Sequence, residues 1–380
     1  MGEAGSGSSG LRFAVHPVRG NRNRRNTLHN RLRHRLRWTT RPTLRPAMKR
    51  VTLKDIASAL AVAPSTVSRA LADHPDISPE MKTRVHEAAE LMGYVPDLRA
   101  RYLRARHSRL VALVVPEVNM FFVPSLMSGV DRVLRQNDYS LLVFESDDLV
   151  VQERKLARLC LSLSVDGVLL ACSSETTDLA HLDALADADV PTVLLDKVLE
   201  SDRHSAVSID GRGAACRATD HLLARGHRRV LGVFGDDRQR ISDRRAAGFR
   251  AAFSDRSLPP GPLVHVRHLP DFDALVGEAI DAHAPTALFA MSDELLVRAH
   301  HAVLARGLAI PADVSLVAIS DGKAPAFLTP AVTHLRHAGD EVGARAAHIL
   351  VGLLGRQVAG SALDVKVRTD FVEGASVRVL

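Results

Sequence analysis

The chain has 380 residues, 46% of them hydrophobic and 24% charged, an ordinary globular balance with room for two or more domains. No run approaches the roughly 18 uninterrupted apolar residues of a membrane span, no secretory signal precedes the first folded motif, and Cys160, Cys172 and Cys216 are odd in number and widely spaced, which suits buried thiols in a reducing cytoplasm rather than a disulfide framework. The net charge of +7 hides an asymmetry: residues 1–47 hold eleven arginines against one acid, Glu3, residues 48–109 carry +4, and everything from Leu110 onward carries −7, so basic charge gathers at one end, where a phosphate-bearing partner would be drawn.

Residues 1–47 are rich in Gly, Ser, Asn and Arg, lack an apolar period and hold the only tryptophan, Trp38. The first predicted element begins after Thr52, which precedes an apolar-periodic run and has Asp55 three residues on, the pattern of a capped helix start. Ile56, Ala57 and Leu60 fall on one face of that helix. Ala61 to Ala63 make a turn, and Pro64 stands at the first position of a second helix, where its missing N–H costs nothing. That helix carries Ser65, Thr66, Ser68 and Arg69 outward, while Val67, Ala70 and Leu71 face back. Short hydroxyl side chains plus one arginine, on a helix whose N-terminus favours anions, suit a major groove lined with phosphates.

Ser78-Pro79-Glu80 starts a third helix, whose apolar run continues through Val85, Ala88, Ala89 and Leu91 and which stops at Gly93. With TVSR at Thr66–Arg69, LMGY ending at Tyr94 and PDLRARYLR from Pro96, the chain resembles the LacI/GalR family of bacterial transcription regulators. Two departures stand out. Ala63 replaces the serine that caps the recognition helix in that family, which should weaken the helix start by about 1 kcal/mol, and Asp97 replaces an asparagine before the hinge. By the same resemblance Met48-Lys49-Arg50-Val51-Thr52-Leu53 has the form of a natural start, so residues 1–47 are read as an over-extended translation start, with a basic arm on DNA as the alternative.

From Leu110 the sequence alternates short β-rich runs with helical ones. Strands are predicted at 110–115, 140–144, 167–171, 192–195, 206–209, 230–234, 287–291 and 316–319, with helices such as 123–136 and 151–163 between them. Such alternation implies parallel sheets with right-handed crossovers, and its length implies two subdomains. The resemblance extends here. VPEVNMFF at Val115–Phe122, with Met120 where the family has proline, VDGVLL from Val165, DHLLARGHRR from Asp220, PADVS from Pro311 and TPAVT from Thr329 are all similar to family motifs. The resemblance implies an N-terminal all-α helix-turn-helix domain at 48–96, a hinge helix at 97–107, and at 108–380 a periplasmic-binding-protein-like α/β domain of two parallel-sheet subdomains with a ligand between them.

Site residues follow from the same likeness. Arg245 corresponds to an arginine that bonds ligand oxygens, and its planar fork can hold two hydroxyls or a carboxylate. Asp196 matches an acid that accepts sugar hydroxyls, and Phe121, Phe122 and Phe272 fall where cleft walls stand. Ser292 replaces the family's asparagine before Asp293, and Ser320 replaces a ligand-facing acid, so a neutral sugar need not be the ligand. On the DNA side the resemblance implies contacts from Thr52, Pro64, Ser65, Thr66, Ser68, Arg69 and Arg101, with Leu103 wedged into the minor groove. The implied partners are double-stranded operator DNA, a small effector related to sugars and a second copy of the chain, with no cofactor, metal or membrane.

A competing reading comes from Asp210-Gly211-Arg212-Gly213-Ala214-Ala215-Cys216, which follows a strand, opens a helix and imitates the fingerprint of a dinucleotide-dependent enzyme. Cys216 stands at the third glycine position, and no nucleophile, base and orienting residue occur at a recognisable spacing. A binding protein without a DNA role would share the fold but would need a secretory signal. His265 with His268, and His334 with His337, have the spacing of metal pairs but lack further aligned ligands.

Overall fold

A computed structural model describes residues 51–95, 107–355 and 362–380. The leader, together with Arg101 and Leu103 of the expected hinge, lies outside the described residues. The chain divides into two compact units, one before residue 97 and one after it.

The first unit consists of α1 (Leu53–Leu60), α2 (Pro64–Ala70) and α3 (Pro79–Leu91). α1 begins in a reciprocal cap: the Thr52 hydroxyl accepts from Asp55 N at 3.4 Å, and the Asp55 carboxylate accepts from Thr52 N at 2.7 Å. It ends at Ala61, whose φ of +54° turns the chain toward α2. Pro64 is the first residue of α2, and Ala63 before it supplies no side-chain cap. Ile56, Ala57, Val67, Ala70, Val85 and Ala89 form the core. Leu91, expected to continue that apolar run, is 88% exposed: at 100° per residue it lies on the far side of α3 from Ala89. Gly93 at φ +65° ends the segment, and Tyr94 N–H returns to the Ala89 carbonyl at 2.8 Å.

The second unit alternates strands and helices: β1 (Leu110–Val115), α4 (Val123–Gln136), β2 (Ser140–Glu145), α5 (Val150–Ser162), β3 (Gly167–Leu170), α6 (Asp183–Asp187), β4 (Thr192–Leu195), β5 (Ser205–Ile209), α7 (Gly211–Ala224), β6 (Val230–Phe234), α8 (Arg240–Ser254), β7 (Leu263–His265), α9 (Phe272–His283), β8 (Ala287–Ala290), α10 (Asp293–Ala305), β9 (Ser315–Ser320), α11 (Lys323–Phe327), β10 (Thr333–Arg336), α12 (Gly339–Leu354), β11 (Asp364–Val367) and β12 (Phe371–Val372). Strands such as β1, β3 and β6 carry no polar side chain because helices cover both faces of a parallel sheet.

One sheet has the order β11-β5-β4-β3-β1-β2 and the other β12-β10-β9-β8-β6-β7. Pairing is parallel throughout except where β12 runs against β10. Both halves therefore carry the same five-strand order, and each is completed at its edge by a strand from the end of the chain. The chain passes between halves three times, after β5, after β10 and after β11. Cys160 and Cys172 are buried, but Cys216 on α7 is only half-buried, against the expectation of three buried thiols. An aromatic cluster of Phe234, Phe249, Phe253 and Phe289 fills the second half, with ring centroids 5.2 to 6.0 Å apart.

α7 and α8 meet at backbone contact. A Cβ placed on Gly248 of α8 would stand 2.0 Å from the Arg212 carbonyl oxygen and 3.1 Å from Ala215 Cβ. In an exposed helix, Gly to Ala stabilises by about 1 kcal/mol. Here overpacking wins, and Gly248→Ala is expected to destabilise the second unit by about 1–3 kcal/mol. A urea midpoint equal to or above that of the wild type would show that the two helices are not in such contact.

Candidate functional site

In α/β sheets of this kind, ligands bind beyond the carboxyl ends of the strands where the strand order reverses. The reversals fall between β1 and β3 in one half and between β6 and β8 in the other. The segments leaving those four strands do line cavities: Pro116, Glu117 and Met120 after β1, Ser173 and Ser174 after β3, Gly235, Asp236 and Gln239 after β6, and Met291 and Ser292 after β8. Two chambers of about 450 and 250 Å³ result, and both are lined by Ser174, Asp196, Lys197, Gln239, Ile241 and Arg245.

Arg245 is only 3% exposed. Its Nη1 donates to the Met291 carbonyl at 2.7 Å, while Nε and Nη2 have no hydrogen-bond partner. Burial draws its pKa below the ordinary value, against the opposing pull of Asp196, Glu294 and Asp293. Asp196 directly follows β4 at φ +52°, and His337, on the crossover after β10, places Nε2 3.1 Å from its Oδ1, at ion-pair distance but off the line of a hydrogen bond. Burial alone would raise the Asp196 pKa; His337, then Arg245 and Lys197, hold it below the usual carboxylate range. The ring of Phe122 stacks on His337 with centroids 5.0 Å apart. Lys197 Nζ donates to Ser174 Oγ at 2.8 Å and pairs with Asp148 at 3.3 Å.

On the opposite wall, Ser292 precedes α10 and makes no capping bond with its side chain. Asp293 lies buried behind it. Its carboxylate accepts from the Ser320 hydroxyl and from Asp321 N at 3.0 Å, and burial pushes its pKa up to about 6.

The structure thus brings Phe122, Asp196, Arg245, Ser292 and Asp293 to the cleft. Three expected positions differ. Phe272 is 0% exposed, packed in the core at the start of α9 with Arg298 over its ring, and walls neither chamber. Phe121 is 36% exposed and lies outside the chamber linings; its N–H donates to Glu294 Oε1 at 3.2 Å. Ser320 is buried behind Asp293, not presented to the chamber. Sequence reasoning missed His337, Lys197, Gln239 and Arg267. The sequence offers His337 only as half of a His pair at metal spacing; among the described residues no three His, Cys, Asp or Glu side chains converge as metal ligands.

The stretch that imitates a dinucleotide fingerprint is occupied by its own chain. Asp210 Oδ1 accepts from Gly213 N at 2.9 Å, and a Cβ on Gly213 would stand 2.1 Å from Asp210 Oδ2, so the carboxylate fills the place a pyrophosphate would take. In the first unit, Pro64, Ser65 and Arg69 are exposed along α2, Thr66 and Ser68 are half-buried, and Val67 and Ala70 are buried. Thr52 is exposed, but its hydroxyl donates to Asp55 at 2.7 Å as part of the cap.

Residues 52–97 match the family described as bacterial regulatory proteins, lacI family, and residues 219–377 match the periplasmic binding protein-like domain. The chain belongs to the LacI family. Catabolite control protein A of Priestia megaterium is 25% identical over 319 residues, which cover 82% of this chain and 95% of that protein. The transcriptional regulator CelR in complex with cellobiose is 25% identical at a TM-score of 0.64, covering 86% of this chain and all of that one. The lac repressor dimer bound to operator and the anti-inducer ONPF shares the fold at a TM-score of 0.76 and 20% identity, over 87% of this chain and all of that one. Relatives of this LacI-family chain are transcriptional regulators, not enzymes. Among the described residues no helix is long and apolar enough to cross a membrane.

Asp293 gives this LacI-family cleft a titratable wall. Its carboxyl has a folded pKa of about 6 against an unfolded value of 3.8, so the folded state holds the extra proton between those values and stability falls as pH rises through that window. Above pH 6 the charge costs about 3 kcal/mol. Asp293→Asn is therefore expected to gain stability relative to the wild type between pH 4 and pH 8, by up to that amount. Paired melting curves across this range measure it, and a difference that does not change with pH would refute the assignment.

Proposed function

We propose that the protein is a repressor that binds operator DNA as a homodimer in the cytoplasm and releases or grips it according to a small molecule, a sugar or sugar derivative, held in the cleft. One observation carries this reading: a chain with an exposed recognition helix also has, in a separate unit, a cleft floored by a buried arginine with two uncommitted donors. Buried guanidinium nitrogens without partners cost free energy that a ligand's oxygens would recover. The likeness to a regulator solved with cellobiose supports a sugar-related ligand.

On the DNA side, one helix-turn-helix makes too small an interface for tight specific binding, so a symmetric pair presenting two copies of α2 to two half-sites is required. Pro64 and Ser65 start α2 and Arg69 stands one turn further along, exposed. The side chains proposed to meet DNA are Thr52, Pro64, Ser65, Thr66, Ser68 and Arg69, with Arg101 and Leu103 from the hinge. Arg69→Ala is expected to cost about 1–3 kcal/mol on the specific site. Equal losses on specific and random duplexes would make Arg69 a phosphate contact instead.

On the ligand side, the proposed contacts are Phe122, Asp196, Arg245, Ser292 and Asp293, joined by His337 and Lys197. An effector changes DNA affinity only through different affinities for two states, and DNA must change effector affinity by the same factor. Arg245→Ala is expected to keep operator binding within a few-fold of the wild type in one ligand state and to lose the response to effector. Effector titrations with and without operator test the link. If operator leaves effector affinity unchanged in the wild type, the protein is not a ligand-gated repressor.

A further inference from the structure

The two chambers that meet at Arg245 differ sharply in charge. The smaller is lined by Glu117, Asp148, Asp236, Asp293 and Glu294, with Arg267 beside them; Asp236 and Asp148 are bonded to Arg238 and Lys197, while Glu117, Asp293 and Glu294 are acceptors suited to hydroxyl groups. The larger is lined by Arg212, Arg238, Arg240, Arg244 and Lys366, with Lys197 and Arg245 shared between the two, against only Asp196 and Asp210. Asp210 is spent capping α7, and Asp196 is held by His337.

Part of this basic wall is already paired, Arg238 with Asp236, Lys366 with Asp364 at 2.8 Å and Lys197 with Asp148 at 3.3 Å, but Arg240 and Arg244 are poorly served. Arg240 and Arg244, one turn apart on α8, lean on a single carboxylate, Glu200, at 3.1 and 3.5 Å, and Glu200 is 82% exposed, where water and salt screen it. α8 begins here with Gln239 as N-cap and no side chain satisfying its first N–H groups, so the positive end of a 15-residue helix also opens on the chamber. The helix end alone would decide nothing. Arg245 decides it: almost wholly buried, it keeps Nε and Nη2 without partners, and with glycine at 211 no side chain stands against that Nε from the start of α7.

We infer that the natural effector is a polyhydroxyl molecule carrying an anionic group, a phosphate ester or a carboxylate, with its hydroxyls in the acidic chamber and its anion in the basic one against Arg245, Arg240 and Arg244. This rests on the cleft being the effector site. Six residues line both chambers, so the two are contiguous and a single ligand with a terminal charged group can occupy both. Arg245 serves both parts at once, offering one edge to ring oxygens and the other to the anion.

The test uses the full-length protein and matched probes: glucose, galactose and ribose, their terminal phosphate esters, glucuronate and galacturonate, and inorganic phosphate alone, all at constant ionic strength with chloride as the balancing anion. Melting temperature and calorimetry are read for the wild type and for Arg240→Ala/Arg244→Ala, whose side chains are half-exposed and whose loss should spare folding. At least one anionic probe is expected to raise the wild-type melting temperature, to bind tenfold or more tightly than its neutral parent, and to lose tenfold or more in the double variant. A response to phosphate esters and inorganic phosphate alone identifies a phosphate, and one to uronates alone a carboxylate. The inference is overturned if a neutral sugar binds as tightly as its charged counterparts, if no anion shifts melting, or if the anion's effect survives in the double variant. A neutral sugar that binds and is controlled by operator would leave the repressor reading standing while removing this one.

Discussion

A buried charge shared between the two halves of the second unit organises the cleft. Arg245 comes from α8 of one half and is anchored to the Met291 carbonyl of the same half, while the acid that compensates its charge most, Asp196, belongs to the other half and His337 sits on a crossover between them. Removing one member of such a cluster leaves an uncompensated charge in a dry interior, which costs about 3–5 kcal/mol. The three residues therefore depend on one another, and through them the position of one sheet is tied to the position of the other.

Around this tie the remaining contacts across the cleft are slight. Phe121 N–H reaches Glu294 at 3.2 Å, Ser125 Oγ reaches Asp321 at 3.0 Å, and Arg240 and Arg244 share Glu200. Exposed ion pairs are worth about 0–1 kcal/mol each. A ligand that completed the hydrogen bonding of Arg245 would supply more than that, so in the proposed ligand response the cleft centre outweighs its rim. Rigidity elsewhere sharpens the effect: α8 lies on α7 at backbone contact through Gly248, three residues beyond Arg245, so the arginine cannot move without its helix pair.

Much of this was legible in the sequence, and the reason differs from element to element. α4 was expected over 123–136 and occupies Val123–Gln136, because its apolar residues recur at helical spacing and Pro124 marks its first turn. α1 and its cap were legible from Thr52 and Asp55 alone, since a capping box is a local interaction. Asp196 and Arg245 were reached through motif likeness rather than physics. Phe272 and Leu91 misled for one shared cause: an apolar residue near an element end carries no sign of which neighbour it meets, and tertiary packing put the first in the core and the second in water. His337 was hidden for a related reason. Nothing in THLRH tells that the strand ends at Arg336 and that the next residue crosses between subdomains to face Asp196, more than a hundred positions earlier.

The serine at 320 preserves the charge of its neighbour Asp293. An acid at this position would have stood beside Asp293, and two carboxylates sharing a buried site cannot both ionise near neutral pH. Serine is short, neutral and a donor, and its hydroxyl bonds Asp293 Oδ1 while Asp321 N–H bonds Oδ2. Both bonds favour the ionised form and oppose burial, which leaves the pKa at about 6 instead of higher. Each carboxylate oxygen still has a second lone pair, and the chamber is where those lone pairs can be used. The wall therefore keeps one ionised carboxylate above pH 6, held by two protein donors so that its remaining acceptors are ordered in advance of any ligand.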